Sequence, residues 1–248
     1  MRSTLKSTFG AMFDSLGLQL AATAQKGALE MAAHLSALFA ALHIDLVIDI
    51  GADKGQFGGF LRDHVGYKGV IASFEPIPCL FKALESRAAA DEFWAVEQAA
   101  LGAAGGDLPL NVIDLKDFRR ADASVPPPAR PERQTARVSR LIVPIRTLDE
   151  ALPLLRSRYK AKHVFLKLNA RGQDRDVFKG AEKTLTSIAA IQTELCTDRS
   201  FEGVPHYLGV LTYFQAKHFA PNGFFPATAK AGTALGSFDC CLVNTGQS

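Results

Sequence analysis

Apolar residues along this chain gather first at helical spacing and then in short blocks. Phe9, Phe13, Leu16 and Leu20 step by four, three and four, and Met31, Leu35, Leu38 and Leu42 behave likewise, so residues 1–43 are predicted as two helices broken near Gly27. From Ile44 the period changes. Ile44 to Ile50, Val70 to Glu75, Glu92 to Ala100, His163 to Leu168 and Ala189 to Leu195 read as buried strands. Between them lie stretches of helical character: 55–65, 78–90, one opening at Thr147 or Asp149, either of which suits an N-cap, and one from Asp174 to Leu185. Alternation of β and α predicts a parallel sheet, because a crossover helix is what joins parallel neighbours.

The alternation fails between Gly102 and Arg140, where Gly105-Gly106, Pro126-Pro127-Pro128 and Pro131 accompany six arginines, at 119, 120, 130, 133, 137 and 140. Leu108 to Ile113 and Arg140 to Ile145 alternate well enough to pair as an excursion from the sheet, and residues 114–139 are expected as a lid, since connections this long in a compact domain are functional or disordered. The arginines form either a solvated face or a grip on phosphate or carboxylate of an acceptor. Residues 1–43 are expected as a helical cap on the sheet, with a dimer contact or a membrane-surface face as alternatives. Asp14, Lys26, Glu30 and His34 interrupt the apolar character, so no run reaches the roughly 18 residues of a membrane span, and no signal peptide is evident.

Chemistry concentrates where the first strand ends, in Val47-Ile-Asp-Ile-Gly-Ala-Asp-Lys-Gly-Gln-Phe57. Gly51 and Gly55 allow a tight turn and close approach of a ligand, and the helix from Gly55 aims its first amides into the same space. The spacing differs from the glycine fingerprint of dinucleotide binders, because Asp53 falls where their second glycine lets a pyrophosphate touch backbone. A carboxylate there repels phosphate, which disfavours an NAD-dependent oxidoreductase. With Asp49 also acidic, the loop suits a ligand bearing an amine, a sulfonium and a ribose, as S-adenosylmethionine does; the other reading is an ordinary strand-turn-helix. The second strand ends at Glu75, 24 positions after Gly51, close to where such folds hydrogen-bond ribose hydroxyls. Pro76 and Pro78 stop that strand and hold Glu75 at its carboxyl end. The end of the third strand, Gln98 to Leu101, is expected beside the adenine, with Gln98 either bonding the base or facing solvent.

The ordered set of VIDIGADKGQF from Val47, GYKGVIASFEPIP from Gly66, the turn Ala99-Ala100-Leu101-Gly102, VPIRTLDEAL from Val143, FLKLNARGQDRDVFKGAE from Phe165 and, more loosely, IQTELCTDRSFEGVPHYLGVL from Ile191 resembles the FkbM-type family of S-adenosylmethionine-dependent methyltransferases. It spans roughly residues 44–243. The resemblance implies a Rossmann-like class I methyltransferase fold: α/β, a mostly parallel seven-stranded sheet with helices on both faces, here with an N-terminal helical extension (1–43) ahead of the donor-binding domain (44–248, with 102–140 as the excursion). Phe224 to Thr228 and Phe238 to Val243 would be its terminal antiparallel pair, turning at 232–236. It further implies the cofactor S-adenosyl-L-methionine, held by Asp49, Gly51, Asp53, Gly55, Gln56, Glu75, Pro76, Gln98, Ala99 and Ala100, and O-methylation of a sugar or natural-product hydroxyl.

Two departures bear on catalysis. Asp53 stands where the family usually has Asn, which keeps an acceptor. Asn169 stands where it usually has Asp, followed by Arg171 at a position usually polar or acidic. An amide cannot take up a proton, and it ligates metal only weakly. The base for a hydroxyl acceptor is therefore sought among Glu194, Asp198 and His206, and the expected catalytic residues are Asn169, Glu194 and His206. The alternative is a catalytically impaired relative serving as a binding or scaffold protein.

Composition narrows the remaining classes. With 248 residues, 48% hydrophobic and 21% charged, the chain can bury a substantial core. A net charge of +3 gives no reason to invoke nucleic acid. Cys79, Cys196, Cys240 and Cys241 lack metal-ligand spacing, so no metal is expected; Cys240 and Cys241 should point to opposite faces of a strand, and packed, reduced thiols fit a cytoplasmic protein. The expected partner is a small-molecule or glycan acceptor, and a homo-oligomer is left open.

Overall fold

The computed structural model describes residues 26–114, 122–124, 137–169, 174–197, 206–229 and 235–246. Helix α1 (26–41) precedes β1 (Leu46–Ile50), α2 (Gln56–Phe60, continuing as a π turn over Leu61–Val65), β2 (Val70–Phe74), α3 (Pro78–Ala88) and β3 (Trp94–Glu97). An excursion follows: β4 (Ala100–Leu101), β5 (Gly106–Asp114), β6 (Asp122–Ser124) and β7 (Arg137–Arg146). The chain then returns through α4 (Leu148–Tyr159), β8 (Val164–Leu168), α5 (Asp174–Lys179), β9 (Ile188–Cys196), α6 (Tyr207–Gln215), β10 (Phe219–Ala229) and β11 (Leu235–Asn244).

The main sheet has seven strands in the order β10-β11-β9-β8-β1-β2-β3. β1, β2, β3, β8 and β9 are mutually parallel, and β11 enters antiparallel between β9 and β10. The strand order reverses at β1, whose neighbours are β2 and β8, so the crevice at its carboxyl end lies at the switch point where open α/β sheets bind ligands. β1, β2 and β8 are buried along their whole length, as strands covered on both faces must be. On one face Ile48, Ala72, Leu166 and Ile191 pack with Leu148, Leu152, Phe178 and Phe214 of α4, α5 and α6; on the other Val47, Ile71, Phe165 and Ala190 pack with Leu35, Leu38, Leu61 and Leu84 of α1, α2 and α3. Cys240 and Cys241 fall on opposite faces as expected, whereas Cys79 is exposed rather than packed.

Several predicted boundaries move for identifiable reasons. The third strand is only Trp94–Glu97, and the expected turn at residues 99–102 instead contains β4, parallel to β7. The helix expected from Asp174 to Leu185 stops at Lys179. Gly180 lies so close to the backbone of Gly102 that a Cβ there would sit 2.0 Å from the Gly102 oxygen. Asp149 then secures the turn that follows, accepting hydrogen bonds from the Lys183 and Thr184 amides and the Thr184 hydroxyl. Thr147, not Asp149, is therefore the N-cap of α4, in a capping box with Glu150. The predicted pairing of 108–113 with 140–145 is present in β5 and β7, where Leu108 faces Val143 and Leu110 faces Leu141. Of the segment expected as a lid, Asp122–Ser124 pairs with β5, and 115–121 and 125–136 lie outside the described residues.

Candidate active site

The loop after β1 is closed by tertiary backbone contacts that its sequence anticipates. Gly51 adopts φ 71°, and a Cβ at this position would meet the Asn169 carbonyl oxygen at 2.5 Å, so only glycine lets the ends of β1 and β8 approach this closely. The Asn169 amide donates to the Ile50 carbonyl, and the Gly51 and Ala52 amides both donate to the Phe74 carbonyl. Asp53 also lies in the left-handed region, at φ 54°, a conformation that Asp tolerates better than most residues. Its amide donates to Glu75 Oε2 at 2.8 Å, while Glu75 Oε1 accepts from the Ile77 amide at 2.9 Å. Gly55, at φ 79°, caps α2, and the Gln56 side chain donates to Asp53 Oδ2 at 3.2 Å and accepts from the Lys54 amide.

The two acidic positions singled out by spacing are thus one unit. Glu75 is buried, and burial pushes its carboxyl up to about 7, opposed by the Ile77 and Asp53 amides and reinforced by the Asp53 and Asp49 carboxylates. Asp49 is deeper still; burial raises it to about 6 against the pull of Lys167 and the Ser73 hydroxyl. Asp53 Oδ1 is buried without a hydrogen-bond partner. A buried acceptor left unsatisfied is costly, and a ligand carrying an amine or hydroxyl donor would satisfy it. Two buried carboxyls and an orphaned acceptor around a positive-φ glycine loop fit the ammonium, sulfonium and ribose of S-adenosylmethionine and do not fit a pyrophosphate.

The other residues singled out are placed less decisively. Pro76 is half-buried beside Glu75, Ala99 is buried, Ala100 lies in β4, and Gln98 is exposed in the turn between β3 and β4. Glu194, half-buried near the end of β9, accepts from Ser237 Oγ of β11 at 2.5 Å. His206 is exposed as the N-cap of α6, its Nδ1 accepting from the Leu208 amide at 3.4 Å. Asp198 and Arg171 lie outside the described residues. Among the described residues no group of His, Cys, Asp and Glu side chains is arranged to hold a metal, and no helix is long and apolar enough to cross a membrane.

Sequence reasoning passed over a polar row beneath the loop. In register across the sheet stand Ser73, Asp49, Lys167 and Gln192. Trp94 Nε1 donates to Ser73 Oγ at 3.0 Å, and Ser73 Oγ donates to Asp49 Oδ2 at 3.3 Å. Lys167 Nζ and Gln192 Nε2 both donate to Asp239 Oδ1, at 3.2 and 3.0 Å. The available signal was a lysine inside the apolar strand Val164–Leu168, because a buried lysine requires a partner. What could not be read was which carboxylate answers it, 72 residues away on a strand inserted antiparallel.

A seven-stranded sheet in this order, with its acidic glycine loop at the switch point, is the class I methyltransferase fold. The model of the methyltransferase FkbM domain matches residues 49–221, and the chain belongs to that family, whose methyl donor is S-adenosylmethionine. No curated protein matches the sequence significantly. Among solved structures, a methyltransferase FkbM from Methylobacillus flagellatus KT superimposes with a TM-score of 0.51 at 12% identity, over 80% of this chain and 43% of that one. This chain therefore spans less than half the length of that relative, and the likeness concerns the fold. The magnesium protoporphyrin IX methyltransferase of Synechocystis PCC 6803 follows at a TM-score of 0.49 and 8% identity, over 90% of this chain and 83% of that one.

Proposed function

We propose that this protein transfers a methyl group from S-adenosylmethionine to a hydroxyl of a small-molecule or glycan acceptor, such as a sugar or a natural product. The observation that carries the reading is the Asp53–Glu75 unit, in which the loop amide is fixed on the ribose-side carboxylate while Asp53 Oδ1 stays buried and unpartnered. When bound, the donor supplies an electrophilic methyl on a sulfonium that departs as a neutral thioether. Glu75 would accept the ribose hydroxyls. Asp49 and Asp53 would face the cationic groups, and Gly51, Gly55, Gln56 and the segment Gln98–Ala100 would complete the cradle.

With the donor bound, what this chain's residues would supply is mainly the placement of the acceptor hydroxyl, and such positioning would account for much of the rate. Asn169, at the end of β8 and against Gly51, would orient that hydroxyl through its amide but cannot remove its proton. Glu194 or His206 would take it. Glu194 is the stronger candidate, because Ser237 fixes one carboxylate oxygen and the second can receive the proton. Titration calorimetry with S-adenosylmethionine and S-adenosylhomocysteine tests the donor site, and absence of heat with both ligands for folded protein would overturn it. Release of S-adenosylhomocysteine with hydroxylated but not amine acceptors is the expected signature of O-methylation; the reverse preference would overturn that part.

A further inference from the structure

The Lys167 ammonium is almost wholly buried, 10% exposed at the side chain, in the face of the sheet that α1 and α2 cover. Among the described residues its ion pair is with Asp239, whose Oδ1 also receives the Gln192 amide. The Phe57 ring of α2 lies 5.7 Å from Nζ on the loop side, and Asp49 is its register partner on the adjacent strand. Such a placement is costly unless the charge is well compensated, and one carboxylate at 3.2 Å, already shared with Gln192, is a thin shell for it. The second compensating charge lies across the sheet, in Asp49. Among the described residues, the groups that act on Asp49 are Lys167 from β8 and the Ser73 hydroxyl from β2, with the Trp94 indole behind Ser73, and Asp49 in turn acts on Glu75 at the end of β2. Lys167 is the cation of that set.

We propose that Lys167 is a positioning residue for donor binding: held by Asp239 and Gln192 beneath the loop, its ammonium keeps the adjacent Asp49 carboxylate ionised, so that the loop attracts the positively charged donor at neutral pH. The proposal rests on the donor-site reading above. Asp239 limits the effect, because it draws on the same ammonium, as Glu194 does after it; burial raises Asp49, and Lys167, shared between carboxylates of β1, β9 and β11, opposes that rise. Burial already holds Asp49 at about 6 with Lys167 opposing it, and Lys167 is held above its ordinary value because Asp239, Asp49 and Glu194 together outweigh its own burial.

Affinity for S-adenosylmethionine, measured by calorimetry between pH 5 and 9, tests the proposal through the sign of two shifts. In wild type, binding should weaken on acidification through the Asp49 inflection. Lys167→Met should move that inflection up by about one pH unit, the low end of what an adjacent opposite charge does to a carboxyl, and so weaken binding about two-fold at pH 7, with the loss growing on acidification. Lys167→Arg should restore it. Asp239→Asn, which leaves the ammonium with Asp49 as its main counterion, should move the inflection down, whereas simple damage to the core would move both variants the same way. In an Asp49→Asn background, where the remaining inflection is that of Glu75, lowered by loss of the Asp49 charge, Lys167→Met should have no further effect. Shifts of the same sign in Lys167→Met and Asp239→Asn, or an undiminished effect of Lys167→Met without Asp49, would overturn the proposal. If wild type binds neither S-adenosylmethionine nor S-adenosylhomocysteine, it is the donor site that fails. Thermal melts of each variant identify any that do not fold, and either shift read alone still decides between the signs.

Discussion

At the scale of single residues, the loop after β1 rests on two carboxyls that burial raises above the ordinary carboxylate range. A carboxyl whose folded value lies above its unfolded one binds more protons when folded, so stability is greatest at low pH and falls as pH rises between the two values. For Asp49 that window runs from the ordinary range to about 6, and for Glu75 to about 7. We therefore expect the melting temperature of ligand-free protein to fall across this window, and the fall to shrink in Asp49→Asn and in Glu75→Gln; equal slopes in all three would show that these groups are not the source. Glu75→Ala should cost about 1.5–3 kcal/mol in donor binding, the range for hydrogen bonds to a charged group. Asn169 admits a sharper test. Asn169→Asp restores the usual carboxylate of the family with almost no change in volume, so kcat should rise if the amide impairs proton removal and fall if its NH₂ orients the acceptor. Unchanged kcat and KM with a competent acceptor would place Asn169 outside the reacting site. These acidic positions were legible from spacing alone, because a chain that turns at Gly51 and stops at Pro76 has few places to put them. Lys167 and Asp239 were not, because their meeting depends on a strand inserted from the far end of the sequence.

At the scale of elements, α2 carries two glycines in succession for different reasons. A Cβ on Gly58 would sit 2.1 Å from the Trp94 ring, whereas the atoms nearest a Cβ on Gly59 belong to the guanidinium at the end of the Arg87 side chain. The indole cannot withdraw without giving up its hydrogen bond to Ser73 and, through it, the support of Asp49. Alanine is favoured over glycine in a helix by about 1 kcal/mol, and overpacking costs about 1–3 kcal/mol. Gly58→Ala should therefore be destabilising on balance and should weaken donor binding. Gly59→Ala, where a flexible side chain can move aside, should be neutral or stabilising. Denaturant unfolding of the pair decides the matter, and equal effects would refute this account of the packing. The same kind of contact explains why one helix was predicted too long. The apolar pattern of 174–185 continues past Lys179, but the close approach of Gly180 to Gly102 ends the helix, and no local pattern records it. α2 is held at its far end by Arg62, whose guanidinium pairs with Asp91 and donates to the Tyr67 and Gly69 carbonyls across the π turn.

At the scale of the whole molecule, the parallel sheet follows from the alternation of apolar runs and its seven-stranded form from the family resemblance, which is why the fold was readable before the site. What the alternation left undetermined was the standing of the helical stretch ahead of β1, since an amphipathic helix serves equally as a cap, an interface or a surface anchor. In α1, Leu35 is fully buried, Leu38 and Phe39 nearly so, and the Phe39 ring meets Phe165 of β8 at 4.7 Å and Tyr67 at 5.2 Å. Met31 Sδ lies 3.4 Å from Gln192 Nε2, so the helix also covers the polar row that carries Lys167. Burying three such side chains contributes roughly 5–9 kcal/mol, at about 1.5–3 kcal/mol each. Domain stabilities are themselves only about 5–15 kcal/mol. A chain beginning at residue 44 should therefore lack most of its net stability and expose Phe165 and Val47 to water. We expect it to melt far below the full chain or to show no cooperative transition, and to bind no donor although every loop residue is retained. A truncated chain that unfolds cooperatively with unchanged stability would show that α1 only decorates the sheet. Folding with normal stability but altered pH dependence of donor binding would instead confine its role to shielding Lys167 and Asp239 from water.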